Sequence, residues 1–317
     1  MYNIGIDIGG TNIAGGIVDA DGKIIIKKVL PTLPIRGSKL VIKDIINLCK
    51  SLAEGSSISA CGIKSIGIGS PGIVNPQSGK VVYAANLNFM NVALSDMLRE
   101  ELTYPVLIDN DANCAALGES AFGAAQGCEH SVTITLGTGI GGGIIANGSI
   151  YSGSFFGAGE IGHHIICING ADCSCGAKGC WEAYASASAL IRGTVNAAKS
   201  SPSSLINKLV NGNLEKIDAK TAFDASLKGD EVAKGVVENY IDYLCIGLIN
   251  VANILQPEVI VIGGGISGQG SALISQIESR AERFAAFGGM KTKIAIAELG
   301  NDAGIIGAAQ LARQRSN

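Results

Sequence analysis

One local plan occurs twice in this chain, and it narrows the available folds more than any other feature. Tyr2 to Asp7 is a short apolar run, Asp7-Ile8-Gly9-Gly10-Thr11 has turn chemistry, and Ile13 to Val18 is a second apolar run. From His130 the pattern returns, with a run through Leu136, the turn Gly137-Thr138-Gly139 and a run from Gly141 to Ile145. Apolar runs separated by glycine and threonine read as hairpin strands, so a strand-turn-strand unit is expected to be duplicated. In the first copy the turn Asp19-Ala20-Asp21-Gly22 leads into a third strand, Lys23 to Leu30, which completes an antiparallel meander. A length of 317 residues, 47% of them hydrophobic and 16% charged, is enough for two domains with substantial cores.

Helical periodicity fills the space between these units. Val41, Ile42, Ile45, Ile46, Cys49 and Leu52 recur at helical spacing before Gly55. Ser65 to Gly69 and Val106 to Asp109 then read as strands, ending in the loops Ser70-Pro71-Gly72 and Asn110-Asp111-Ala112-Asn113. Later, Ser186 to Lys199, Ala219 to Leu227 and Val236 to Leu255 read as helices, the last with the apolar face Ile241, Leu244, Cys245, Leu248, Ile249, Ala252 and Leu255. Val259 to Ile262 and Lys293 to Ala297 read as buried strands, and Ala303 to Arg313 as a closing helix. Ser200 to Asn213 is polar and is expected to be a loose connection.

Charge and composition remove several classes of function. A net charge of -3 gives no basic field for nucleic acid. No membrane segment is expected, because Met1 to Gly10 carries Asp7 and no basic region, and the apolar stretch Cys245 to Ile266 is broken by Asn250, Asn253, Gln256, Pro257 and Glu258. Of nine cysteines only Cys173, Cys175 and Cys180 form a group, while Cys49, Cys61, Cys114 and Cys245 stand singly in apolar surroundings. That usage fits a reducing, cytoplasmic setting.

The grouped cysteines lie in the frame Cys-Ser-Cys-Gly-Ala-Lys-Gly-Cys, with His163 ten residues before them and Glu160 and Glu182 just outside. One imidazole and three thiolates are a full tetrahedral set for zinc, and a closed set is structural rather than catalytic. Gly176 and Gly179 permit the tight turn that ligand convergence needs. A disulfide is the alternative for closely spaced cysteines, and Cys167 is a bystander to the completed set. His164 and His130 read as surface or core histidines.

Two glycine-threonine loops, Gly9-Gly10-Thr11 and Gly137-Thr138-Gly139, together with Gly263 to Gly265, offer backbone N–H groups to a polyphosphate, although each alone would equally join an ordinary hairpin. Asp7 is placed to hold Mg2+ through water, or to cap a turn. Asp111 follows a strand beside Asn110 and Asn113; it suits a general base acting on a substrate hydroxyl, while the same segment also needs a helix cap from Asp109 or Asn110. Glu160, His163 and Glu182 are polar groups of the kind that orient a polyhydroxylated ligand.

These motifs resemble the ROK sugar kinases, within the larger actin, hexokinase and Hsp70-type ATPase superfamily, from about Ile4 to Ala309. The match is carried by Asp7 to Thr11, Asp109 to Asn113, Leu136 to Gly139, Gly159 to His163, and Cys173 to Glu182. The resemblance implies an α/β fold of two RNase H-like lobes with a cleft and a zinc-binding loop, expected here as a small lobe 1–110 closed by 303–317 and a large lobe 111–302. It also implies ATP with Mg2+, and phosphorylation of a hexose, foremost glucose. Asp111 is then the general base. Gly72, Asn110, Asp111, Glu160, His163 and Glu182 are the sugar-side residues, and Asp7, Gly9, Gly10, Thr11, Gly137, Thr138, Gly139, Gly264 and Gly265 the nucleotide side. Zinc at His163, Cys173, Cys175 and Cys180 agrees with the ligand count. An N-acetylmannosamine or N-acetylglucosamine kinase is the alternative within the family, and a homodimer or homotetramer is implied. A sugar-responsive repressor is disfavoured, because the first strand is expected at Tyr2 with no helix-turn-helix ahead of it.

Overall fold

The computed structural model describes residues 1–56, 58, 62–284 and 290–314. Cys61, and the end of the predicted lobe-closing segment at 315–317, lie outside them. The chain forms two compact units: one of residues 1–133, 143–159 and 297–317, the other of 134–142 and 160–296.

The first unit opens with β1 (Tyr2–Ile8), β2 (Asn12–Val18) and β3 (Ile24–Pro31), paired antiparallel as expected. Helix α1 (Ser38–Glu54) follows, and its buried face of Val41, Ile42, Ile45, Ile46, Leu48, Cys49 and Leu52 contains every residue of the predicted stripe. Strand β4 (Ile63–Ser70) lies parallel to β1, and after a small sheet of β5 (Ile73–Asn75), β6 (Lys80–Ala84) and β7 (Phe89–Val92), α2 (Leu94–Arg99) leads to β8 (Val106–Asn110), parallel to β4. The strand order is β3-β2-β1-β4-β8. Helix α3 (Asp111–Phe122) leaves directly from β8.

Strands β9 (Ser131–Leu136), β10 (Ile140–Ala146) and β11 (Ser149–Ile150) repeat the opening plan with a third strand cut to two residues. The second unit then builds α4 (Glu182–Ala185), α5 (Ala187–Ser200), α6 (Leu205–Leu209), α7 (Thr221–Leu227), α8 (Glu231–Leu255), β12 (Val259–Gly263), α9 (Ser271–Ala281) and β13 (Lys293–Ile296). The second sheet has the order β11-β10-β9-β12-β13. Helix α10 (Ala303–Gln314) returns to the first unit.

Glycines set how closely α10 lies on the first sheet. A side chain at Gly5 would overlap the carbonyl of Ile305, and one at Gly67 the carbonyl of Ala308. Helix backbone therefore rests directly on strand backbone, the circumstance that justifies glycine inside a strand. On its other flank α10 meets α3 in the same way, since a Cβ at Gly307 would overlap the carbonyl of Cys114 and one at Gly118 would come within 2.6 Å of the Ala303 oxygen.

Four expectations change. The expected lobe boundary at 110 does not hold for the compact units, because this close packing keeps α3 and the chain as far as 133 with the first unit. The sheet of β5, β6 and β7 has no counterpart in the predicted elements. The stretch Ser200 to Asn213 is not loose throughout: Ser204 caps α6, its hydroxyl accepting from the Ile206 N–H at 3.1 Å. Helix α8 starts at Glu231 rather than Val236 because Asp230 caps it, accepting from the Ala233 N–H at 2.8 Å. No helix among the described residues is long and apolar enough to cross a membrane.

Candidate functional site

In the first unit the candidate residues gather at the carboxyl ends of three parallel strands. Register places Asp7 of β1 beside Gly69 of β4, and Gly69 beside Asp109 of β8. The loops after these strands therefore leave on the same edge, where α/β sheets collect their ligands. Gly9-Gly10-Thr11 follows β1, Ser70-Pro71-Gly72 follows β4, and Asp111 opens α3 immediately after β8.

Each loop is fixed by identifiable bonds. The Gly9 N–H donates to the Asn12 carbonyl at 2.8 Å, which closes the first turn without help from Asp7. Thr32, buried, then holds that turn from outside: its hydroxyl donates to the Gly9 carbonyl at 2.6 Å and its N–H to the Thr11 carbonyl at 2.9 Å. Gly72 has φ of 85°, and any side chain there would overlap the Tyr83 carbonyl. Both conditions require glycine.

Asn110 is the N-cap of α3. Its side-chain oxygen accepts from the Ala112 N–H at 2.8 Å and the Asn113 N–H at 3.1 Å, while its amide donates to the Gly72 carbonyl at 3.0 Å. A cap of this kind stabilises a helix by about 1 kcal/mol. Asn113 in turn donates to the buried carboxylate of Asp109 at 2.8 Å. Capping is thus met by Asn110, which leaves Asp111 at the first helical position, its Oδ1 accepting from the Ala112 N–H at 2.9 Å. The positive end of the helix favours a charged carboxylate there.

Asp7 is held differently. Burial pushes its pKa up to about 7, the charge of Asp111 adds to the rise, and Lys27 opposes it. Gly69 lies between the two acids, paired in register with Asp7 and with a Cβ position 3.3 Å from the Asp111 Cα, so one buried acid and one acid at a helix start share a neighbourhood. The first turn of α10 closes the space behind Asp7, since a Cβ at Gly304 would lie 2.8 Å from its carboxyl carbon.

The second unit holds the other candidates. His163, Cys173, Cys175 and Cys180 bring one ligand atom each to within 4.8 Å of one another. The Nδ1 of His163 lies 3.6 Å from the Cys173 sulfur, and the sulfurs of Cys175 and Cys180 are 3.7 Å apart. A tight hairpin presents the cysteines: the Cys173 N–H donates to the Ala177 carbonyl at 2.9 Å, the Gly176 N–H to the Cys173 carbonyl at 3.0 Å, and Gly176 and Gly179 have φ of 90° and 81°. No disulfide joins the described cysteines. With Nδ1 facing the cluster, the Nε2 of His163 points the other way and lies 3.8 Å from Glu160 Oε2.

Glu182 ties this hairpin to the second glycine loop. Its Oε2 accepts from the Ile140 N–H at 2.9 Å, and its Oε1 accepts from the Ser174 hydroxyl at 3.1 Å. A side chain at Gly139 would overlap that carboxylate. Gly264, with φ of 82°, has its backbone against Leu136, so Gly264-Gly265 and Gly137-Thr138-Gly139 are brought together. Trp181, fully buried, packs on the His164 ring at 5.3 Å and donates to the Tyr243 carbonyl at 2.9 Å. His164 is a packing residue as expected, its pKa lowered by burial, and His130 accepts from the Asn147 N–H at 3.4 Å.

Thr32, Ser174 and Gly304 carry contacts that the sequence alone did not indicate. Thr32 and Gly304 act across long stretches of chain or through backbone, where no motif marks them, while Ser174 lies inside the cysteine motif, which signals its thiolates and not its hydroxyl.

Residues 3–315 match the model of the ROK family. The glucokinase of Halalkalibacterium halodurans is 40% identical over 323 residues, covering 100% of this chain and 96% of that protein. The glucokinase of Thermotoga maritima is 37% identical, covering 98% of this chain and 97% of that one. Among solved structures, a ROK family glucokinase from Streptomyces griseus, in complex with glucose and AMPPNP, superposes with a TM-score of 0.85 at 35% identity, covering 99% of this chain and 100% of that one.

Proposed function

The chain belongs to the ROK family, and from that premise we propose that it transfers the terminal phosphoryl group of ATP to the 6-hydroxyl of glucose. Full-length similarity to glucokinases supports the substrate pair. The observation that carries the chemistry is the pair Asp7 and Asp111, two carboxyl groups on one sheet edge whose surroundings differ. Phosphoryl transfer to an alcohol needs a base for the hydroxyl and counter-charge for the phosphates, and pairs of acids with divergent environments divide such roles.

In this reading Asp111, exposed enough to meet substrate and supported by the start of α3, takes the proton of the sugar hydroxyl as the phosphoryl group leaves ADP. Asp7 would hold Mg2+ through water, and the ion when bound supplies charge neutralisation for the phosphate oxygens. Gly9, Gly10 and Thr11, and Gly137, Thr138, Gly139, Gly264 and Gly265, offer backbone and hydroxyl donors to the nucleotide. The N–H of Ile140 is not among them, being spent on Glu182.

On the sugar side, Glu160, Glu182, Gly72, Asn110 and the Nε2–H of His163 would orient the ring hydroxyls. The orientation of His163 supports that role, because a metal held on Nδ1, which faces the cysteines, would leave the proton on Nε2. Zinc fits the ligand set. Zinc–sulfur bonds of about 2.3 Å and zinc–nitrogen bonds of about 2.0 Å in a tetrahedron give edges of about 3.8 and about 3.5 Å, against 3.7 and 3.6 Å here. His163, Cys173, Cys175 and Cys180 would hold the ion as a closed set of four, which would brace the hairpin and leave no open position for transfer.

A coupled assay with Mg2+ and ATP against glucose, mannose, N-acetylglucosamine and N-acetylmannosamine tests the proposal. Glucose is expected to give the highest kcat/KM, and a protein inactive on every sugar would overturn it.

A further inference from the structure

Glu119 breaks two rules at once. It is fully buried, and it stands in the last turn of α3, where the helix dipole opposes a negative charge. A carboxylate in such a place is retained only if its oxygens are satisfied by strong donors. All its partners are backbone N–H groups: Oε2 accepts from Ala124 at 2.9 Å and Glu298 at 3.1 Å, and Oε1 from Leu299 at 2.9 Å. The neighbouring Gly123 leaves the room, since any side chain there would overlap Oε2. Two acceptor atoms facing three donors is a demand that a carboxylate meets and an amide cannot.

What the carboxylate grips is the segment that leads to Asp7. Residues 298–299 follow directly on the last passage of the chain into the first unit, at 296–297. A short 3-10 turn, Gly300–Asp302, comes next, steadied by the ion pair of Asp302 with Lys27, and then Ala303 and Gly304 begin α10. Gly304 is the residue whose backbone backs the carboxyl group of Asp7.

We propose that Glu119 is a positioning residue: by holding the Glu298 and Leu299 backbone it sets the start of α10 against Asp7, and so fixes the Asp7 carboxylate for phosphoryl transfer. The inference rests on the kinase function proposed above. It assigns Glu119 no contact with substrate.

The test compares wild type, E119Q and G304A in the full chain by two measurements: amide hydrogen exchange at Glu298 and Leu299, and steady-state kinetics with Mg2+, ATP and glucose. In E119Q exchange at both amides should rise by about tenfold or more as the clamp opens locally, and kcat should fall by about 10- to 100-fold with the glucose KM within about threefold of wild type. G304A adds a methyl group against Asp7 and leaves the clamp, so it should lower kcat similarly without changing exchange at 298–299. Raised exchange in E119Q with normal kcat would overturn the positioning role and leave a structural clamp. Should E119Q fail to fold, normal kcat in G304A overturns the inference by itself. A wild type inactive on all sugars refutes the kinase function, and with it the catalytic half of the inference, while exchange still decides whether Glu119 holds the segment.

Discussion

Two carboxyl groups share one edge of the first sheet, and their surroundings differ. Asp111 stands at the first position of α3, its Oδ1 accepting from the Ala112 N–H, and the N-cap of that helix is its neighbour Asn110. Asp7 is buried, and its pKa of about 7 against a reference of 3.8 means that the native state retains a proton over that interval which the unfolded chain has lost. Stability attributable to Asp7 is therefore full below about pH 4 and is lost as pH rises through about 7. D7N should accordingly melt at a higher temperature than wild type at pH 8, by on the order of 1–3 kcal/mol in stability, with the difference vanishing near pH 4, while activity at pH 8 is abolished. Thermal melts at both pH values check this; equal melting temperatures at pH 8 would show that burial of Asp7 costs nothing. The acids and the ligand set were legible in the sequence because each lies in a dense local motif. Glu119 was not, since its partners Glu298 and Leu299 are 179 and 180 residues away and contribute only backbone.

Among elements, the hairpin that carries Cys173, Cys175 and Cys180 and the contact of α3 with α10 bear on the site most. Structural metal sites are folding energy for the segment that carries them, so chelation should loosen residues 160–182 and release Glu182 from the Ile140 N–H. The expected result is a glucose KM raised by about tenfold or more with the ATP KM changed far less; undiminished glucose affinity in metal-free protein would remove the bracing role. At the other contact, G307A forces a methyl group into the Cys114 carbonyl and must part α3 from α10. Overpacking of this kind costs about 1–3 kcal/mol or more, and an unchanged melting temperature would contradict the packing described. Period told the long helices and buried strands apart, as the stripe of α1 illustrates. It failed where elements were too short to carry a period: β5, β7 and α6 have three, four and five residues, and the exposed β6 positions Val82 and Tyr83 break the alternation.

For the whole molecule, the duplicated strand-turn-strand plan was visible in the sequence, and both copies are present as β1–β2 and β9–β10. The limits of the compact units were not, because they depend on backbone approach at Gly118 and Gly307 rather than on any linker composition. Candidate residues are distributed over both units, Asp7 and Asp111 in one, Glu160, His163 and Glu182 in the other. The single tryptophan, Trp181, lies next to Glu182 and offers an intrinsic signal for sugar binding that is independent of turnover. The decisive measurement is D111N, titrated with glucose by Trp181 fluorescence and assayed for turnover with Mg2+ and ATP. The account predicts glucose affinity within about tenfold of wild type and kcat lowered by at least about 100-fold; a kcat within about threefold of wild type would contradict it.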